Sequence, residues 1–177
     1  MLLIDEPTSA LSAECAASVM TTLDRVRAEH GVTVVVVTQD ASVVRSICDD
    51  VALLESGKVV EHGKVLDLAI DPDSRIASSL LPTVRRTTAA DGAFDRVAEV
   101  LLVGFAAVGS LLPEVGTRFG VRAEVISGGF TRLGDTPVAR SLIGFTGDRI
   151  DAALEWLRRA GVPIRVAPSV SQKVLVA

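Results

Sequence analysis

At 177 residues the chain can hold one large or two small domains, and 49% of it is apolar, so material for a core exists. With no Tyr, one Trp and five Phe, that core must be built from Val, Leu, Ile and Ala. A net charge of −4, with arginine pairs only at Arg85-Arg86 and Arg158-Arg159, excludes an extended nucleic-acid surface, and two distant cysteines exclude a disulfide framework.

The chain opens on an apolar strand, Leu2-Leu3-Ile4, that ends in Asp5 and Glu6. Neighbouring side chains on a strand point to opposite faces, so the two carboxylates can serve different partners. In phosphate chemistry one faces a magnesium ion and the other a hydrolytic water. The plainer reading is a pair of solvated carboxylates at a strand end.

From Ser12 the apolar period changes to that of a helix, with Ala16, Val19, Met20, Leu23 and Val26 on one face. Ser12 suits the N-cap, Glu14 the first turn, and Gly31 the C-terminal stop. Val32 to Thr38 is a β-branched run, as expected of a strand buried on both faces in a parallel sheet. A short helix over Ala41 to Cys48 leads to a strand at Val51 to Leu54. Ser56-Gly57-Lys58 then turns into Val59-Val60-Glu61 as a hairpin. A helix near Lys64 to Ile70 closes this half, whose rhythm is that of an α/β domain. Cys15 and Cys48 read as small buried apolar residues of a reduced cytoplasm, while His30 and His62 belong to no cluster that would bind a metal.

Between Asp71 and Asp95 the composition turns polar, with Pro82 through Gly92 poor in large apolar residues, and this stretch is expected to be a linker. A second module follows over 96–177. Val97 to Ala107 reads as a strand, and Ser110 as the cap of a helix carrying Leu112, Val115 and Phe119, with Gly120 as its stop. Strands are expected at Val121 to Thr131 and Val138 to Phe145 around the turn Leu133 to Pro137. Asp148 is the expected cap of a helix bearing Ile150, Ala153, Leu154 and Leu157, and Ile164 to Val166 forms a last strand. The order βαββαβ is that of the ferredoxin-like, split-βαβ arrangement. The longest uncharged run, Val100 to Pro113, falls short of the ~20 residues that span a bilayer.

The string LLIDEPTSAL resembles the Walker B strand and D-loop of ABC transporter ATPases. Neither a phosphate-cradling G-x-x-x-x-G-K-[ST] nor an LSGGQ-type signature occurs in the chain, so the resemblance implies an incomplete P-loop domain over 1–70. In that family Asp5 supports magnesium and Glu6 polarises the attacking water. The strand VVVVTQD resembles the one leading to the H-loop, where the family's histidine is replaced by Gln39. A neutral amide can donate to a phosphate but cannot carry charge or shuttle a proton. The D-loop's terminal carboxylate is Ser12 here. The string from Cys48 to Glu61 is similar to the family's closing strand and hairpin.

An ATPase half followed by a ferredoxin-like module is similar to the ATP-binding subunits of methionine importers, whose C-terminal regulatory domains pair and bind methionine. The resemblance implies ATP and magnesium as cofactors, and a permease and a substrate-binding protein as partners. It also implies a homodimer held peripherally at the cytoplasmic face of the membrane. In the second module Glu124 is a candidate partner for an amino-acid ammonium and Phe130 for a thioether. Gly128 and Gly129 let a backbone approach a ligand or mark a bulge. A different class of function, a non-catalytic amino-acid-binding protein that keeps an ATPase remnant, gains weight from Gln39 and Ser12. In this class of sheet the phosphate-loop strand lies between the Gln39 strand and the Val51 strand. Without it, valines and backbone edges lack a neighbour, and the first half is expected to be marginal or association-prone.

Overall fold

A computed structural model of the chain describes residues 1–85, 93–109 and 111–166. It divides into two compact units, one of Met1–Leu80 with Arg132–Asp135, the other of the remaining described residues from Leu81 onward.

In the first unit, β1 (Leu2–Asp5) pairs in parallel with β2 (Val34–Val37), with Leu2 beside Val34 and Asp5 beside Val37. The two are joined by α1 (Ala13–His30), whose ends are set as the sequence suggests. Ser12 lies in the extended region and its side chain accepts the Cys15 N–H, while Gly31 closes the helix at φ 59°, which a Cβ would strain. Only Met20 of this helix is buried.

The valine run is not covered on both faces. Val34 and Val36 are half-buried, whereas Val35 and Val37 remain 41% and 54% exposed and Leu3 68%. Among the described residues, alternate side chains of β2 are thus covered and the others lie open. Cys15 is likewise exposed rather than buried, because it sits in the first turn of α1 on its outer side. Helix α2 (Ala41–Ile47) is capped by Asp40, which accepts the Ser42 N–H.

Strands β3 (Asp50–Glu55) and β4 (Lys58–Lys64) form an antiparallel hairpin. Both turn residues, Ser56 and Gly57, have positive φ, the geometry that matches the strand twist. A register shift between Leu53 and Leu54 marks a bulge. Helix α3 (Val65–Ile70) follows. The stretch read as a linker begins with order: α4 (Ala77–Leu80) buries Leu80, and the Glu61 carboxylate accepts the N–H groups of Arg75 and Ile76. Residues 86–92 of that stretch lie outside the described residues.

The second unit has one four-stranded sheet in the order β6-β7-β5-β8. Strand β5 (Arg96–Val103) is central, antiparallel to β7 (Thr136–Thr146) on one side and to β8 (Ile164–Val166) on the other. Strand β5 ends earlier than the apolar run suggests. Gly104 at φ 64° breaks the extended backbone, and Phe105–Val108 wind into the short helix α5. Helix α6 (Leu111–Phe119) stops at Gly120; Ser110, its expected cap, lies outside the described residues. Strand β6 (Arg122–Leu133) turns at Gly134-Asp135 into β7.

Helix α7 (Ile150–Arg159) does not take Asp148 as its cap; the cap position is Arg149, with no side-chain bond to the helix. Instead α7 is held by burial, because Ile150, Ala153, Leu154 and Leu157 recur on one face and pack on Ala98, Val100, Ile143 and Phe145. Ala98, Val100, Ile143, Phe145, Ala153 and Leu157 are all fully covered. Among the described residues no helix is long and apolar enough to cross a membrane.

Candidate functional site

The sequence places Asp5, Glu6, Ser12 and Gln39 in one candidate site, and the first unit brings three of the four to the ends of β1 and β2. Asp5 ends β1 with its side chain exposed. Glu6 follows at φ 44°, an unusual conformation for a residue with a Cβ. What holds it is visible in its bonds. Its N–H donates to the Val37 carbonyl at 2.8 Å, and its carbonyl accepts the Ser9 N–H. Its two carboxylate oxygens accept the Gln39 N–H at 2.9 Å and the Thr38 hydroxyl at 3.1 Å.

The same Thr38 hydroxyl oxygen accepts the Asp40 N–H at 3.0 Å. Thr8 donates to Asp40 at 3.4 Å. Glu6 and Thr8 thus tie the segment after β1 to the segment after β2. Bonds from Ser42, side chain before backbone, hold the Asp40 carboxyl below its ordinary value, with Thr8 and Arg45 assisting against partial desolvation. Ser12 takes no part in this cluster; its hydroxyl is the N-cap of α1.

The residues present do not by themselves fit a resident magnesium ion. Asp5 offers one exposed carboxylate, Glu6 has both oxygens engaged, and the described residues hold no cluster of three or more acidic, His or Cys ligands.

A cleft of about 480 Å³ opens along the second edge of β2. Its lining combines Leu23 and Arg27 of α1, Val32 to Val36, and Ile47 to Asp50. Arg27 bonds Asp24 at 3.0 Å and Asp49 at 2.6 Å at one end of it. Cys48 also lines the cleft, and burial together with the neighbouring Asp49 charge pushes its thiol up from the ordinary value, against the pull of Arg27. The sequence leads one to expect strand edges without a neighbour here, between the Gln39 strand and the Val51 strand, but it singles out none of the lining residues.

In the second unit Glu124 and Phe130 both lie on β6. Glu124 is ion-paired with Arg122, and Phe130 is 53% exposed. Six residues of extended strand put roughly 20 Å between them, too far for one free amino acid to touch both in a single copy. Gly128 has φ 138°, and a Cβ there would meet the Arg140 carbonyl and Ser141, so close backbone approach explains this glycine. At Gly129 a Cβ would press on Pro82 at 3.0 Å. The nearby segment is pinned to β6 by Ser127, which donates to the Arg85 carbonyl at 2.6 Å and accepts the Arg85 N–H.

Sequence reading also missed the charged pair of Arg140 and Glu99, joined at 2.7 Å across adjacent strands. It missed a tilted ring pair as well, in which Phe119 lies 6.0 Å from Trp156, with Arg149 over the first ring and Arg118 over the second. Both need register or helix packing to be seen.

The NIL domain family matches residues 96–166. The protein named methionine import ATP-binding protein MetN from Myxococcus xanthus is 36% identical over 169 residues, covering 94% of this chain and 51% of its own length. Its namesake from Symbiobacterium thermophilum is 36% identical, covering 96% of this chain and 52% of its own length. The one from Caulobacter vibrioides is 34% identical, with 93% and 50% covered. The chain therefore spans about half the length of the curated relatives it matches. A solved structure described as the C-terminal domain of an ABC transporter/ATP-binding protein from Enterococcus faecalis aligns at TM-score 0.38 and 20% identity, over 46% of this chain and 90% of that one. Such a score supports no conclusion about the fold. The sequence matches do: the chain is a homologue of the methionine import ATP-binding proteins, corresponding to their C-terminal part, and its residues 96–166 are a NIL domain.

Proposed function

We propose that this chain serves a methionine importer of the ABC class, contributing Walker B, D-loop and H-loop segments of the ATP-binding subunit together with an amino-acid-sensing domain. The observation that carries the reading is the combination, in one alignable chain, of the LLIDEPTSAL string and a NIL domain. On this reading 1–70 is part of a P-loop domain, and 96–177 is a ferredoxin-like regulatory domain that binds methionine. Glu6 would face the attacking water once a nucleotide is held, with Gln39 donating to the γ-phosphate and Asp5 exposed beside them. ATP is the cofactor, a permease and a substrate-binding protein are the partners, and a homodimer at the cytoplasmic membrane face is the assembly.

The pairing of Glu6 with Gln39 and Thr38 favours a second reading, an amino-acid-binding protein that keeps the ATPase segments for structure. To polarise a water Glu6 would first have to release at least one of these donors.

The test is calorimetric titration of the whole chain with L-methionine, using L-leucine as the control. Saturable heat with methionine alone supports the importer reading and its sensing domain. Equal or absent heats, with the chain shown to be folded, remove methionine as the ligand. Without a phosphate-cradling loop the chain is not expected to hydrolyse ATP by itself on either reading; hydrolysis that appears when it is mixed with a polypeptide supplying the Walker A and signature motifs supports the first reading, and its absence the second.

A further inference from the structure

We propose that Thr38 is the positioning residue of Glu6: its hydroxyl covers one carboxylate oxygen, Oε2, and yields that oxygen to the attacking water, while the Gln39 N–H keeps Oε1. The water belongs to the importer reading, on which this inference rests; the bonds belong to the chain itself. Glu6 is fixed along its backbone. Its N–H donates to the Val37 carbonyl at 2.8 Å, its carbonyl accepts the Ser9 N–H at 3.1 Å, and its φ of 44° lies in the small left-handed region. Access to the carboxylate is therefore decided by its two donors and not by moving the residue.

The donors are unequal. The Gln39 N–H reaches Oε1 at 2.9 Å, an ordinary length for such a bond, and belongs to backbone just past the parallel pairing of Asp5 with Val37. Withdrawing it would shift that strand end. The Thr38 hydroxyl reaches Oε2 at 3.1 Å, whereas a hydroxyl on a carboxylate usually closes to about 2.5–2.7 Å. It makes the weaker bond. It also makes the one that a single torsion opens, because a hydroxyl hydrogen rotates about its C–O bond. The oxygen does not have to follow. The Asp40 N–H donates to Thr38 Oγ1 at 3.0 Å, and the Asp40 carboxylate accepts the Ser42 N–H at 2.8 Å and the Thr8 hydroxyl at 3.4 Å. Turning the O–H thus frees a lone pair on Oε2 with every heavy atom in place, and the bond from Gln39 keeps the carboxylate from swinging away.

The experiment labels carboxylates of the whole 177-residue chain with a water-soluble carbodiimide and glycinamide, and compares Glu6 with its exposed neighbour Asp5 by peptide mass spectrometry. Glu6 is expected to label more slowly than Asp5. Thr38→Val keeps the branched shape and loses the donor; it should speed labelling of Glu6 by about fivefold, the scale of one net hydrogen bond, without changing Asp5. Thr38→Ser should label like the original chain. Hydrogen exchange of the Gln39 amide should stay slow in both variants. Equal labelling of Asp5 and Glu6 in the original chain overturns the proposal, and this comparison decides alone if Thr38→Val does not fold. An unchanged Glu6 rate in Thr38→Val also overturns it, as does loss of Gln39 amide protection, since Thr38 then braces the whole segment. With a polypeptide supplying the Walker A and signature motifs, Thr38→Val should raise kcat about fivefold at unchanged KM for ATP, and an equal or lower kcat overturns the proposal. If the original chain supports no hydrolysis in that mixture, the importer reading fails, and the labelling still decides whether Thr38 holds Oε2.

Discussion

Strands of similar composition end differently in the two units. In the C-terminal unit, Ala98 and Val100 of β5 and Ile143 and Phe145 of β7 are 0% exposed beneath α6 and α7. In the N-terminal unit, the alternate valines of β2 stay open although the run is more strongly β-branched. The lesson is that a strand's apolar content does not bury it; a second layer does. Four strands under two helices close a core around Leu154 and Leu157. Among the described residues β2 covers only alternate side chains, and the bonds of Glu6, Thr8 and Asp40 hold the strand ends together.

The most severe break in this contrast is Phe145→Ala, which removes a fully covered ring and should cost about 3–5 kcal/mol, whereas Val35→Ala on the open face should stay within about 0.5 kcal/mol. Urea unfolding of both variants measures the difference. Gly128→Val comes next. It places a side chain against the Arg140 carbonyl at a φ that only glycine adopts easily, and a loss of about 2 kcal/mol or more is expected in the same assay. If it proves neutral, β6 does not hold this backbone.

Trp156, the single tryptophan, sits in the C-terminal unit, so its fluorescence reports that unit alone. Far-ultraviolet dichroism reports both. The less covered N-terminal unit should unfold at lower urea, giving a dichroism transition ahead of the fluorescence one, and coincident curves would mean the two units unfold as one. Ser12→Ala should move only the earlier transition, by about 1 kcal/mol, because it removes the cap of α1.

The smallest effect concerns Asp40. Its folded-state carboxyl titrates below the ordinary value of 3.8, so its contribution is complete above that value and is lost as pH falls through the folded value. Asp40→Asn should therefore be the less stable form at neutral pH, with the difference shrinking below about pH 3.8 in acid titrations of the earlier transition.

Much of the secondary structure is legible in the residues, and the misses have physical causes. Ser12 and Gly31 bracket α1 because capping is a local matter of one hydroxyl and one left-handed residue. The hairpin of β3 and β4 is legible because Ser56-Gly57 states its own turn. Strand β5 appears longer in sequence than in space, since Phe105 to Val108 are apolar yet follow a glycine of positive φ, and Phe105 is 94% exposed. Asp148 has the right chemistry for a cap one residue too early.

The site is less legible than the fold. Asp5 and Glu6 are visible as a motif, but the bonds from Gln39 and Thr38 that occupy Glu6 come from residues more than thirty positions away. Glu99 and Arg140 meet only once the register of β5 and β7 is fixed.

The hairpin turn at Ser56-Gly57 also sets an order of events. A two-residue turn with both φ values already positive lets β3 and β4 meet in about 1–10 μs, since hairpins close on that scale. The parallel pair β1 and β2 must first bring Leu2 to Val34 across all of α1, and that closure carries a larger entropy cost and a slower rate. Folding of the N-terminal unit therefore starts in the middle of its own sequence. Pulsed hydrogen exchange should find amides of Val51 to Gly63 protected before those of Val35 and Val37, so nascent chains reach their first stable contacts well after the acidic strand has been synthesised.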